Sequence, residues 1–363
     1  MKKRENGLDL LRIISAFFVV ALHVCTNELK MVKAANVLNA EFFFFTIIRH
    51  FTSIAVVCFF CLSGAFILKA GSTADYMSFY KKTWKKIVIP TIVFSIFFFF
   101  FESFIYYRVG VYSHLGDISY GTALMVQLTM LLTGIPAEHM WYMFTLIGLY
   151  LLAPFVVIVK ERIGERAFGK AAVALCVWGT IDALIQAPKV YWSLGFCADL
   201  LGMFMLGYVV HEWALKRKDN RKLGLRMLGA GFFVYITEYC IYLLIRGNES
   251  LTRDITPETV CNVFAIAAAL CFVAALTILN VKRNFGYPSL LTFWVYLVHP
   301  IVMSLLFVIE TVIFHVSYME IGQKEPILVG TANTLIVFVL SFTAVHIVQK
   351  CLSYKKKSLK GNA

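Results

Sequence analysis

Charge is the scarcest ingredient of this chain. Only 15% of its 363 residues are Asp, Glu, Lys or Arg, against roughly 25% in an ordinary soluble domain. A water-soluble chain of this length would bury one or two cores beneath a polar coat. Too few charges are present to build that coat, which leaves lipid as the solvent for much of the surface. Long polar stretches are also missing: the longest run only 10–30 residues, so no soluble catalytic domain is expected. The nine cysteines (25, 58, 61, 176, 197, 240, 261, 271 and 351) fall within apolar runs or at their ends. They form no extracytoplasmic disulfide framework and no zinc spacing, and read as small apolar packing residues. There is no Walker-type loop, no GxGxxG between a strand and a helix, and no low-complexity segment. Whatever chemistry exists is built from the apolar segments themselves.

Those segments are abundant. Sixty per cent of the residues are apolar and 33 are Phe. Runs long enough to cross ~30 Å of hydrocarbon fall at 8–27, 43–68, 87–107, 141–159, 171–187, 195–213, 227–245, 259–279, 289–314 and 326–349. The expected fold is an all-α integral membrane protein of about ten transmembrane helices. The net charge of +13 could suggest nucleic acid, but the Lys and Arg residues cluster in short loops between apolar runs. That is the pattern of cytoplasmic loops, and no nucleic-acid partner is expected. With the N-terminus inside, cytoplasmic segments hold 25 Lys and Arg and the opposite loops 7. This asymmetry puts both termini in the cytoplasm. Segment 118–135 ends in Thr133-Gly134-Ile135. It reads as an outer re-entrant or interfacial helix, because a full span there would invert every later loop. Lys2, Lys3 and Arg4 before an apolar run mimic a signal peptide, but no Ala-x-Ala site follows and Asp9 and Arg12 interrupt the run. It is therefore expected to remain as the first span. The organisation expected is a ten-span domain over 1–350 and a basic cytoplasmic tail over 351–363.

Ionisable groups inside the membrane are the informative residues, since each costs ~2.5–3.5 kcal/mol on insertion scales. The first span carries Asp9, Arg12 and His23. Eleven residues separate Arg12 from His23, which is three turns plus ~20°, so they share a face ~16 Å apart along the axis. Asp9 lies one turn before Arg12, at ion-pair spacing. Arg12 alone could snorkel to lipid phosphates, and a lone membrane His could bond a neighbouring helix. The aligned pair looks instead like the wall of a polar cleft. His139, with Trp141 and Tyr142, opens the fourth span at the outer face, where aromatic residues also serve as an interfacial belt. In the ninth span Tyr296-Leu297-Val298-His299-Pro300 puts His299 ~15 Å into the membrane, beside a proline expected to kink the helix. Ser63-Gly64 in the second span permits close helix approach and a hydroxyl pointing inward. His50, His114, His211, His315 and His346 lie near span ends or in loops, where solvated roles are usual. Asp182, Asp199, Glu102, Glu238 and Glu310 lie in or near spans, and nothing in the sequence ranks them. The stretch from His23 to Glu28 echoes the His-x4-acid dyad of glycerolipid acyltransferases, on a short match.

Gly7-Leu8-Asp9-Leu10-Leu11-Arg12, with His23 completing Arg-x10-His, resembles the opening of the acyltransferase-3 family of membrane acyltransferases. So do the segment Phe59-Phe60-Cys61-Leu62-Ser63-Gly64-Ala65-Phe66-Ile67-Leu68, the stretch from His139 to Pro154, and Tyr296-Leu297-Val298-His299-Pro300. The four motifs stand in register along the full chain, and are most similar to the surface-polysaccharide O-acetyltransferase branch. That branch is also similar to the membrane half of the vancomycin-resistance serine racemases. The resemblance implies transfer of an acyl group, usually acetyl, from acyl-CoA to a hydroxyl of a cell-surface or lipid-linked glycan at the plasma membrane. Acetyl-CoA would be a donor substrate, with no permanently bound cofactor and no metal. It implies that Arg12 meets CoA phosphates and that His23 acts as general base or transient acyl carrier. His299 and His139 would orient the acceptor or shuttle protons, and Asp9, Ser63, Gly64, Trp141 and Tyr296 would shape the binding site. A proton-coupled transporter of a small solute such as an amino acid is the alternative, since intramembrane His and Asp suit that role too. Against it, no inverted repeat of paired broken helices is visible.

Overall fold

The structure is a computed structural model describing residues 5–34, 40–69, 75–109, 119–134, 136–185, 195–246, 263–309 and 326–361. Every element assigned among these residues is helical. They are α1 (Asn6–Ala34), α2 (Ala40–Ile67), α3 (Tyr76–Thr83), α4 (Ile89–Val109), α5 (Tyr120–Leu132), α6 (Trp141–Ile185), α7 (Gly195–Leu215), α8 (Arg221–Arg246), α9 (Val263–Ile278), α10 (Gly286–Val308) and α11 (Pro326–Gly361). Among the described residues all ten apolar runs fall in helices, two of them in α6. Among the described residues six helices are long and apolar enough to cross a membrane, and three shorter apolar helices accompany them. The protein is an all-α multi-pass membrane protein.

Three details depart from the sequence reading or sharpen it. The runs at 141–159 and 171–187 are parts of one helical stretch, Trp141–Ile185, broken at Gly164 by φ 77° and ψ 160°. A backbone angle of that sign suits a residue without Cβ, so one glycine interrupts the helical stretch without a non-helical loop. The second concerns α5, whose 13 residues reach ~20 Å. That is short of the hydrocarbon thickness. Finally, α11 continues through the basic tail to Gly361.

The helices divide into two compact units, Met1–Ala65 with Gly169–Ala363, and Phe66–Phe168. In the first unit α1 packs against α9, α10 and α11, α9 against α7 and α8, and α10 against α11. Without a hydrophobic drive between helices in lipid, close backbone approach supplies the packing. A Cβ at Gly64 would lie 1.6 Å from the Phe204 carbonyl oxygen, and one at Gly207 would lie 2.1 Å from the Cys61 carbonyl oxygen. The two glycines are reciprocal, so α2 and α7 cross backbone to backbone. Val20, Val24 and Val337 form a buried core joined by Val302, Met303, Leu306 and Phe338. This apolar seam fixes α1 between α10 and α11.

In the second unit α4 packs against α5. The Lys160 ammonium donates to the Leu68 carbonyl at 2.5 Å, and the Tyr80 hydroxyl donates to the Leu151 carbonyl at 3.0 Å.

Candidate active site on helices α1 and α10

Helices α1 and α10 run parallel and meet through three polar rungs. At the first, the Ser289 hydroxyl donates to Asp9 Oδ1 at 2.6 Å. Arg12 Nη1 donates to Ser289 Oγ at 3.1 Å and to Asp9 Oδ1 at 3.5 Å. The Asp9–Arg12 ion pair expected from the spacing is thus present, with Asp9 nearly enclosed and Arg12 partly exposed. Asn6 secures the same end, its amide reaching the Val281 carbonyl at 3.1 Å.

Eleven residues further along α1, and ten along α10, His23 faces His299 with ring centroids 5.3 Å apart and a 38° tilt. One turn beyond, the Asn27 amide points at the Met303 sulfur at 3.7 Å. Because both helices advance 1.5 Å per residue, the first and second rungs are separated by ~15–16 Å. The equal steps follow from the parallel orientation of the two helices.

His299 is fully buried and its tautomer is set by the backbone. Its Nδ1 lies 2.8 Å from the Tyr296 carbonyl and 3.3 Å from the Val295 carbonyl. A carbonyl only accepts, so Nδ1 carries the hydrogen and Nε2 carries the lone pair of the neutral ring. The Tyr296 carbonyl is the one that an ordinary amide at position 300 would have bonded. Pro300 has no amide hydrogen, and the imidazole of His299 takes its place. Pro300 lies inside α10, which runs from Gly286 to Val308. The substitute donor satisfies the carbonyl that would otherwise open towards another partner. Tyr296 also places its ring 5.9 Å from that of His299.

The structure therefore brings together Asp9 with Arg12, and His23 with His299 and Tyr296. Gly64 serves the crossing of α2 and α7 described above, and its neighbour Ser63 is half-buried. His139 and Trp141 belong to the second unit. His139 is buried in the tight turn Glu138–Met140 that starts α6, with its ring edge-on to Phe98 at 5.0 Å.

Several residues gain roles that the sequence left unassigned. Ser289 completes the first rung, yet a lone serine in a span carries no signal by itself. His50 and His211 are not solvated: they are 3% and 0% exposed. Each has a carboxylate partner, as burial requires. His50 Nε2 lies 3.4 Å from Glu238 Oε2, with the His50 ring between Tyr235 and Tyr239 at 4.8 and 4.7 Å. His211 Nε2 lies 2.7 Å from Glu5 Oε2. Glu28 is buried, but five residues of helix rotate it ~140° from His23, so the two do not share a face as a His-acid dyad. His114, His315 and Glu310 lie outside the described residues, as do the side chains of Asp182 and Asp199. No group of three or more potential metal ligands occurs among the described residues.

A family model described as an acyltransferase domain matches residues 5–349. No curated protein and no solved structure matches the chain. The matched stretch contains all three rungs.

Proposed function

The chain belongs to the acyltransferase 3 family, and on that premise we propose that it is a plasma-membrane O-acyltransferase. It carries an acyl group, acetyl by resemblance, from acyl-CoA to a hydroxyl of a cell-surface or lipid-linked glycan. The observation that carries this reading is the ladder itself. A guanidinium at one level of α1 and α10 and a pair of imidazoles at the next lie ~16 Å apart, about the reach of a pantetheine arm.

In this reading Arg12 meets the CoA phosphates from the cytoplasm, since a guanidinium fork matches phosphate oxygens. Asp9 and Ser289 hold it in place. The thioester then lies near His23. His23 takes the proton of the acceptor hydroxyl as the oxygen attacks the thioester carbonyl. The carbon–sulfur bond breaks, the new carbon–oxygen ester bond forms, and the proton passes from His23 to the departing CoA thiolate. His299, with its tautomer fixed by the Tyr296 carbonyl and its ring 5.3 Å from that of His23, orients His23 as a positioning residue. The reaction needs no metal and no redox partner.

The test is to incubate purified protein in lipid nanodiscs with radiolabelled acetyl-CoA and total cell-envelope glycolipid. Transfer of label to glycan supports the reading. No transfer together with no CoA binding contradicts it. A second reading, proton-coupled solute transport, is favoured by the buried His50–Glu238 pair. It expects pH-gradient-driven uptake into proteoliposomes without acetyl-CoA, and that result would also count against the enzyme.

A further inference from the structure

From Gly169 onwards α6 belongs to the first unit and lies antiparallel to α7. A Cβ at Gly169 would lie 3.7 Å from Val209 Cγ1, and one at Gly202 would lie 2.5 Å from Cys176 Sγ and 2.9 Å from the Ala172 carbonyl oxygen. The two helices are therefore closest where Gly202 has no side chain. Beside this seam opens a groove of about 640 Å³. Val173, Val177 and Ile181, at four-residue steps on one face of α6, form its wall with Trp178, and Leu206 and Val209 of α7 form its floor. The four wall side chains are 41–58% exposed, so the wall faces the surrounding lipid. Lys170 is the one charged residue of the lining, and it stands at the end where Gly169 meets Val209. From Lys170 to Ile181 is ~16 Å along the helix, about the depth of one leaflet of a ~30 Å hydrocarbon core. One turn beyond Val209, on the same face of α7, Trp213 extends the floor towards the Lys170 end. Arg217 Nη1 donates to the Trp213 carbonyl at 2.9 Å, and its guanidinium lies 4.3 Å from the centre of the Trp213 ring. The distribution of Lys and Arg assigns this end to the cytoplasmic face.

We propose that this groove binds the acyl chain of an anionic phospholipid of the cytoplasmic leaflet, with Lys170 and Arg217 holding its phosphate headgroup. Charge complementarity singles out that occupant. The groove is apolar over the length of one leaflet and cationic only at headgroup level, which matches a lipid with a net negative head and a single leaflet's depth of tail. A zwitterionic lipid would bring a cation of its own to the same two basic side chains, and anionic lipid is the species that basic residues at a membrane surface attract. Arg217 is already anchored on Trp213, so binding has less side-chain freedom to freeze. Trp178 lies ~12 Å from Lys170 along the helix, beyond the headgroup level where tryptophans usually collect. Its ring there gives a broad apolar surface for the lipid tail. The site is built without α1 or α10 and does not depend on the reaction proposed for them.

The experiment uses the full chain in vesicles of phosphatidylcholine and phosphatidylglycerol, with either lipid carrying brominated acyl chains. Bromine quenches the indoles that the chain touches, and the Trp178 signal is the difference between wild type and W178F. Brominated phosphatidylglycerol should half-quench that signal at a mole fraction about tenfold lower than brominated phosphatidylcholine, in line with two basic residues at the membrane surface. K170Q and R217Q should each reduce this preference about fivefold, and the double variant should have none. A174F places a ring in the groove at an exposed position without removing either cation, and should lose the quenching by phosphatidylglycerol. Where A174F does not fold, the double variant K170Q/R217Q decides by the same measure. Equal half-quenching by the two lipids in wild type, or wild-type preference in the double variant, overturns the proposal. So does a Trp178 signal that neither lipid quenches, and a doubled particle mass in that case names a second copy of the chain as the occupant.

Discussion

His299 donates from Nδ1 to the Tyr296 carbonyl at 2.8 Å, in the place of the backbone amide that Pro300 lacks. The sequence Tyr-Leu-Val-His-Pro thus does two things with one contact. It closes the hydrogen-bond ladder of α10 and it fixes which imidazole nitrogen carries the lone pair. Replacing Pro300 by Ala would return an amide to the helix and make it compete for that carbonyl. P300A is expected to melt no lower than wild type, because proline in a helix interior is unfavourable by ~3 kcal/mol. Its turnover with acetyl-CoA should nevertheless fall about tenfold, the equivalent of ~1.4 kcal/mol in the barrier. A P300A enzyme with wild-type turnover would remove the role given to this contact.

The Ser289 hydroxyl links Asp9 and Arg12, so its effect should be read at the donor and not at the chemistry. A hydrogen bond to a charged group contributes about 1.5–3 kcal/mol. S289A is therefore expected to weaken CoA binding by roughly tenfold or more, with turnover at saturating acetyl-CoA little changed. R12A should weaken it further in the same direction. Isothermal titration with CoA, paired with saturation kinetics, separates the two quantities. Unchanged CoA affinity in both variants would show that the first rung is structural.

At Gly64 the expectation is stability without a specific effect on the reaction. A Cβ there would overlap the Phe204 carbonyl oxygen, and backbone cannot step aside as a flexible side chain can. G64A should accumulate poorly and melt well below wild type, and G207A should do the same from the facing helix. Gly148 has nothing within 4 Å of the equivalent position, so G148A is the control and should behave as wild type. Thermal denaturation of the three variants in one detergent decides it. A G64A protein of normal stability but low activity would return Gly64 to the cleft.

How much of this was legible in the sequence depended on whether the signal was local. Arg12 and His23 lie on one helix, so 3.6-residue periodicity was enough to align them, and Asp9 followed from ion-pair spacing. That His299 lies inside its helix was legible from the apolar run around it. That it faces His23 was not, because the two are joined by tertiary contact across 276 residues. Ser289 was invisible on both counts. Pro300 was read by its effect on the helix, and the neighbouring imidazole that replaces its missing donor was not foreseen. His50 and His211 were misplaced as solvated residues because position near a span end says nothing about a carboxylate on another helix. Glu238 and Glu5 decide their burial. Gly164 interrupts the stretch Trp141–Ile185 by its backbone angle alone, which hydropathy could not tell from a polar loop.

The His50–Glu238 pair gives a check that does not depend on the reaction. The Tyr235 hydroxyl donates to the His50 carbonyl at 2.5 Å, and Ser53 donates to the same oxygen at 2.7 Å. Removing one partner of a buried polar pair leaves the other unsatisfied, at a cost of about 1–3 kcal/mol. H50A should therefore lower the melting temperature by several degrees, while CoA affinity, measured below that temperature, stays at the wild-type value. A fall in CoA affinity without a fall in stability would assign His50 to the donor site instead.

In the proposed reaction His23 performs proton transfer at a site whose donor is held by Arg12. The most direct measurement is single-turnover transfer from radiolabelled acetyl-CoA to envelope glycolipid by wild type and H23A, alongside CoA binding to each. A general base contributes about 10²–10⁴-fold to such a step. The account therefore predicts at least a hundredfold slower transfer by H23A with CoA affinity unchanged. Transfer by H23A at the wild-type rate would contradict it.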